Sequence, residues 1–218
     1  MMDVALLNYL ETYLTESRKE KFLNVLSQRT KHFTVAIEDV YQLHNTSAVM
    51  RSCDVFGIQE LHVIEELNTK QIDREIAMGS QKWVDINRYR SVKDCLAHLR
   101  GQGYRIVATS PHVTHGELKD FDVTQKSCFF FGKETEGLSD DVLNAADGFI
   151  RIPMVGFAES LNISVSVAII LHDTMTRLKQ TTTEWQLGEA EKLQKRMDWC
   201  KTTIKSYQRI IDRYYDAL

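Results

Sequence analysis

"SCFFFGKETEGLSDDVLNAADGFIRIPMVGFAESLNISVSVAII", residues 127–170, runs through the same order of elements twice. "SCFFFG" (127–132) is a continuous apolar run, as a strand buried on both faces requires. A polar loop follows. "SDDVLNAAD" (139–147) is then a short helix, with Ser139 as cap and Asp140 and Asp141 in the first turn, where the helix dipole favours acids. "GFIRIP" (148–153) is a second strand, closed by Pro153. A helix begins after Ser160 and runs to about Arg177. Strand, helix, strand, helix with short connections specifies an α/β fold: a mostly parallel sheet with helices on both faces.

The pattern extends outward from this stretch. "FTVAIED" (33–39), "ELHVIEE" (60–66) and "YRIVATS" (104–110) read as strands. "NTSAVMRSCDVFG" (45–57) reads as a helix with Asn45 near its cap and Gly57 as its stop, and "VKDCLAHLRGQG" (92–103) as an amphipathic helix ended by glycine. The ends differ. Residues 2–30 read as one or two helices. Residues 180–188 are a polar connector, and 189–217 carry one long helical pattern with apolar residues spaced by threes and fours. The expected organisation is a helical segment 1–30, a central domain 31–178 and a basic helical segment 179–218.

Composition narrows the class. Hydrophobic residues are 43% and charged residues 26% of 218, which excludes a disordered chain. No apolar run reaches the roughly 20 residues that a membrane span needs, and the first residues lack a basic leader, so a soluble cytoplasmic protein is expected. Cys53, Cys95, Cys128 and Cys200 are far apart, which predicts reduced, buried thiols rather than a zinc or disulfide framework. His112 and His115 in "PHVTHGE" are close, but the turn carries no further ligand pattern, and no metal is expected. The net charge is −3, yet residues 16–32 carry +3 and residues 192–213 carry +5, leaving −11 for the rest. Two basic ends around an acidic middle suit either a polyanion gripped by the ends or two solvated helix faces.

Common catalytic templates fail. "GQG" (101–103) precedes a strand instead of following one, so it is no dinucleotide fingerprint. "GKETEGLS" (132–139) has Leu138 where a P-loop needs lysine, and Ser160 lies in "AESLN", outside any G-x-S-x-G elbow. Three stretches remain: "ATSPH" (108–112), "FFGKETEGLS" (130–139) and "IPMVGFAESLN" (152–162). Each lies at the C-terminal edge of an expected strand, where open α/β sheets bind ligands.

"NTSAVMR" (45–51), "FFGKETEGLS" and "IPMVGFAESLNISVSVAI" resemble the three motifs of the SpoU/TrmH class of RNA ribose 2′-O-methyltransferases, within the SPOUT superfamily. The resemblance covers about residues 33–177. The short helical N-terminus and basic helical C-terminus are similar to the subgroup that methylates guanosine-18 in the D-loop of tRNA; 23S rRNA is the alternative substrate, and a non-catalytic RNA-binding protein the alternative class. The resemblance implies a deep trefoil knot in the C-terminal part of the domain, a homodimer with the site near its interface, and S-adenosylmethionine (AdoMet) bound in the knot. The implied cofactor contacts are Thr109, Ser110, Gly132, Glu134, Ile152, Met154, Ser160 and Leu161. Arg51 matches the catalytic arginine. Asn45, Glu134 and Asn162 are the further catalytic candidates. Asn45 also suits a helix cap, Glu134 a loop ion pair, and Ser160 and Asn162 helix caps. His44, Arg18, Lys19, Arg29, Lys31, Arg177, Lys195, Arg196 and Lys201 are the candidates for tRNA contact.

Overall fold

A computed structural model describes residues 3–40, 43–65, 79–113, 116–133 and 136–217. The chain divides into two compact units, one of residues 30–185 and one formed by the first 29 residues with 186–218.

The central unit is built on six parallel strands in the order β3-β2-β1-β5-β4-β6. They are β1 (Phe33–Glu38), β2 (Glu60–Ile64), β3 (Asp85–Tyr89), β4 (Arg105–Thr109), β5 (Ser127–Phe131) and β6 (Gly148–Ile150). Side chains alternate across the pleat, so each strand feeds both layers. Phe33, Val35 and Ile37 join Phe129 under α3 (Leu43–Phe56) and α6 (Ile163–Leu178), with Met50, Cys53, Val167 and Leu171. Ala36, Cys128 and Phe130 face the other way, against Cys95 and Leu99 of α4 (Val92–Gly101) and Val142 of α5 (Asp140–Ala145). The α/β expectation holds, with helices on both faces.

Helix α3 ends as its sequence directs. Gly57 adopts φ 82°, where a side chain would be strained. The Ile58 amide then donates to the Cys53 carbonyl at 2.9 Å and the Gly57 amide to Asp54 at 3.3 Å, closing a Schellman turn. At the other end, Asn45 stands inside the first turn of α3, which begins at Leu43; it is not the cap. Strand β3 went unrecognised because "DINRY" is a half-exposed edge strand without an apolar run.

The second unit holds α1 (Val4–Glu11), α2 (Glu16–Leu26), α7 (Glu189–Thr203) and α8 (Tyr207–Asp216) around Leu7, Leu10, Phe22, Leu26, Met197 and Trp199. The single helix expected over 189–217 is broken. Ile204 is extended and Ser206 sits at φ 54°, so α8 starts afresh. The four cysteines are free and buried, and burial pushes Cys95 and Cys200 up to about 12. Among the described residues no helix is long and apolar enough to cross a membrane.

Candidate functional site

β5, β4 and β6 are neighbours, so the three loops singled out in the sequence leave one edge of the sheet side by side. β1 adjoins β5 and leads into α3, which packs on α6. All three motifs therefore converge on the C-terminal ends of four consecutive strands.

Two of the three loops are tied down by hydrogen bonds. Thr109 Oγ1 donates to the Phe130 carbonyl at 2.7 Å, tying β4 to β5, so this hydroxyl's proton is held inside the sheet. The Ser110 amide donates to Ile150 at 3.2 Å, and Ser110 Oγ accepts from the His112 amide at 3.2 Å. Lys133 and Gly137 exchange two backbone hydrogen bonds of 3.0 Å, closing the loop after β5 on itself. Gly132 is obligatory there: a Cβ would lie 2.2 Å from the Gly137 carbonyl. Beyond that loop, buried Glu38 at the end of β1 accepts from the Ser139 amide at 3.0 Å. The sequence signals this only as an acid closing an apolar strand. Glu134 lies outside the described residues, as does His115.

The loop from 152 to 162 is different. Ile152 and Met154 are half-buried, Ile152 packing on the core. Val155 and Phe157 are fully exposed, at 104% and 109%, and Ser160 and Leu161 are exposed. Among the described residues, the peptide groups of 153–161 make no backbone–backbone hydrogen bond. Unpaired donors and acceptors of this kind must be met by water or a ligand. Apolar side chains beside open peptide groups fit a ligand with an apolar face and polar edges.

Asn162 joins the loop to α6 and to α3. Its Oδ1 accepts from the Ser164 amide at 2.8 Å and from the Ser164 hydroxyl at 2.6 Å, so Asn162 caps α6. Its Nδ2 donates to Oδ1 of Asn45 at 3.2 Å. Asn45 is buried, and Asn162 is exposed. Two of the predicted catalytic residues, 117 positions apart, thus meet directly. Ser160 stands two residues before the cap and does not cap the helix.

Arg51 is exposed on α3 and, among the described residues, makes no hydrogen bond or ion pair. His44, also exposed, lies seven positions earlier and so on nearly the same helix face. The arginine and the histidine therefore face outward together.

Several predicted RNA-contact residues are committed elsewhere. Arg29 is 1% exposed, with its guanidinium 5.7 Å from the Trp199 ring centre, and is not accessible to a phosphate. Arg177 grips Asp173 through Nε at 2.8 Å and Nη2 at 2.7 Å, and donates to the Phe121 and Leu118 carbonyls. Arg196 forms a two-pronged pair with Glu11 at 2.9 and 2.7 Å. These three arginines are engaged within the fold, because charge counted along a chain does not distinguish an outward cation from one bracketed by a partner. Lys31 pairs with Glu60 at 2.9 Å and Lys195 with Asp198 at 2.8 Å. Lys19 pairs with Glu16 at 2.7 Å, Arg18 is exposed, and Lys201 is half-exposed.

The parallel sheet, with the three loops side by side at its C-terminal edge, is an α/β architecture of the kind that binds ligands at that edge. Residues 32–172 match the SpoU rRNA Methylase family, and the chain belongs to that family. It is 37% identical over 201 residues to a tRNA (guanosine(18)-2'-O)-methyltransferase of Borreliella burgdorferi, covering 92% of each chain. Its fold is similar to the A. aeolicus TrmH/SpoU tRNA modifying enzyme, at a TM-score of 0.78 and 31% identity, over 87% of this chain and 98% of that one. It is also similar to the SpoU methyltransferase AviRb of Streptomyces viridochromogenes in complex with AdoMet, at a TM-score of 0.61 and 26% identity, over 71% and 61%.

Proposed function

We propose that this chain transfers the methyl group of AdoMet to the ribose 2′-hydroxyl of guanosine-18 in tRNA. The observation that carries the reading is the junction of Asn45 and Asn162 beside a strand edge whose helix α3 presents Arg51 outward. The near full-length similarity to a guanosine-18 methyltransferase supports the substrate.

AdoMet supplies an already electrophilic methyl group, so the protein's task is to place and activate the hydroxyl. Ile152, Met154 and Leu161, with the open peptide groups of 153–161, would hold the cofactor; Ser110, Gly132, Glu134 and Ser160 complete the proposed set. Guanidinium is effectively always protonated and is a poor base alone. Arg51 would instead clamp a substrate phosphate and stabilise the negative charge that develops on the 2′-oxygen, whose proton passes to solvent as the methyl group is taken up. Asn162 would position the nucleotide, with Asn45 fixing the asparagine's orientation from the buried side.

A homodimer belongs to the same reading. Val165 and Ile169 lie one turn apart on α6 and are 44% and 37% exposed, and Val55, one turn beyond Arg51 on α3, is 74% exposed. Such an apolar row on a packed helix pair suits a second copy of the chain. The trefoil knot and a cytoplasmic location follow from the family resemblance. Exposed Arg18, with Lys19, Lys31, Lys195, Lys201 and His44, remain the proposed tRNA contacts.

Incubation with a tRNA transcript and labelled AdoMet, followed by mapping of 2′-O-methyl groups, tests the function. Label at guanosine-18 is expected. Label confined to another tRNA position or to 23S rRNA would change the substrate, and no transfer to either RNA would overturn the reading.

A further inference from the structure

The segment that follows the Ser110 loop returns to the sheet and lies along the end of β6. Glu117 forms a parallel bridge with Arg151. The Arg151 amide donates to the Gly116 carbonyl at 2.8 Å, and the Leu118 amide donates to the Arg151 carbonyl at 3.0 Å. Gly116 permits this approach. Its φ is 81°, and a Cβ there would lie 2.3 Å from the Phe149 carbonyl oxygen. Leu118 is 7% exposed and joins the core. Beyond it, Arg177 of α6 donates to the Leu118 and Phe121 carbonyls at 2.8 and 2.7 Å.

The side chains repeat the contact. Arg151 Nη2 donates to Glu117 Oε1 at 3.1 Å, and Lys119 Nζ lies 3.1 Å from Glu117 Oε2. Arg151 and Glu117 are 30% and 32% exposed, whereas Lys119 is 74% exposed. Exposure on that scale means solvent weakens the lysine pair most. Arg151 immediately precedes Ile152, and Glu117 closes the loop that opens at Ser110. The pair therefore spans from the start of one proposed cofactor-binding loop to the end of another.

We infer that Glu117 and Arg151 form a positioning pair that holds the Ser110 loop against the β6 end and so sets the affinity for AdoMet. Neither residue need touch the reacting atoms. This rests on the reading that Ser110 and Ile152 border the cofactor. With the pair intact the two walls are held before the cofactor arrives. With it broken, the cofactor must itself hold Ser110 and Ile152 in place, and binding weakens while the assembled site reacts as before.

Glu117→Gln keeps the shape and removes the charge. AdoMet affinity by titration calorimetry, methyl-transfer kinetics and thermal unfolding should be measured on the full chain. The dissociation constant and KM for AdoMet should rise about fivefold to tenfold, the scale of one partly exposed charge-assisted contact. The kcat at saturating AdoMet and the KM for tRNA should stay within about twofold. The exchanged double variant Glu117→Arg with Arg151→Glu should recover most of the affinity, and Lys119→Ala should leave it unchanged. Unchanged AdoMet binding in Glu117→Gln would overturn the inference, as would a fall in kcat with binding intact or an exchanged variant no better than the single one. Wild-type protein that binds no AdoMet would instead overturn the cofactor reading on which the inference rests.

Discussion

The C-terminal edge of the sheet and the face covered by α4 treat polar groups in opposite ways. On the α4 face, His62 is fully buried, its Nδ1 3.0 Å from the Tyr89 hydroxyl, with the rings stacked at 5.7 Å. Burial, aided by nearby His98, pushes His62 down to about 3. Burial likewise pushes the Cys95 thiol up to about 12 and Cys128 well above its usual range. His62, Cys95 and Cys128 are thereby held in their neutral forms. At the C-terminal edge, Arg51, His44, Ser160 and Asn162 are exposed, and the peptide groups of 153–161 have no backbone partners among the described residues. One region specifies stability with its chemistry neutralised. The other keeps charge and hydrogen-bonding capacity available, and Arg51 is its clearest example.

The sharpest way to break this contrast is Arg51→Ala. Removing a cation that stabilises developing negative charge should cut methyl transfer by about 100-fold to 1,000-fold. An exposed side chain without partners should cost less than about 0.5 kcal/mol in stability. Single-turnover transfer and urea unfolding measure the two effects. A variant that unfolds more easily and still transfers would place Arg51 with the arginines engaged within the fold.

Gly132→Ala attacks the edge through its backbone. The added Cβ would meet the Gly137 carbonyl at 2.2 Å, and main-chain atoms cannot step aside cheaply. A loss of about 2–3 kcal/mol is expected, which for a chain of this size lowers the melting temperature by roughly 5–10 °C. AdoMet affinity should fall with it. Calorimetric unfolding with and without AdoMet checks both.

The α4 face answers to pH. The unfolded chain protonates His62 near its ordinary 6.5, whereas the folded protein does so only near 3. Between those values the unfolded state binds the extra proton, so stability falls as pH drops from 6.5 toward 3. At pH 5 the loss from this residue is about 2 kcal/mol. His32, also held low chiefly by burial, acts in the same direction. Urea midpoints at pH 7 and pH 5 should show the slope in wild type and a shallower one in His62→Phe. Equal slopes would mean that His62 titrates normally in the fold.

How much of this the residues alone disclose follows the same division. The strands that were found, such as "CFFF" and "RIVAT", are continuously apolar because both sheet faces are covered, and their order with the helices is legible for that reason. The edge strand "DINRY" carries no such signal, and the break at Ser206 depends on a left-handed backbone that serine does not announce. The site loops were legible as polar, glycine-bearing segments after strands. What was not legible is which cations stay available. Arg29, Arg177 and Arg196 resemble Arg18 in sequence, but Trp199, the Leu118 and Phe121 carbonyls, and Glu11 engage them only once distant segments meet. The pairing of Glu117 with Arg151, 34 residues apart, is hidden in the sequence for the same reason.

Asn162 sits on the boundary between the two behaviours, since it both caps α6 and reaches Asn45. Asn162→Ala removes both contacts and should cost about 1 kcal/mol, the usual worth of an N-cap. Asn162→Ser separates them. Serine caps well but is too short to donate to Asn45, so stability should recover to within a few tenths of a kcal/mol while methyl transfer stays depressed. Urea unfolding and single-turnover transfer on both variants decide the matter. If transfer returns together with stability in Asn162→Ser, capping accounts for the residue. If stability returns alone, the amide that meets Asn45 is the part of Asn162 that serves the reaction.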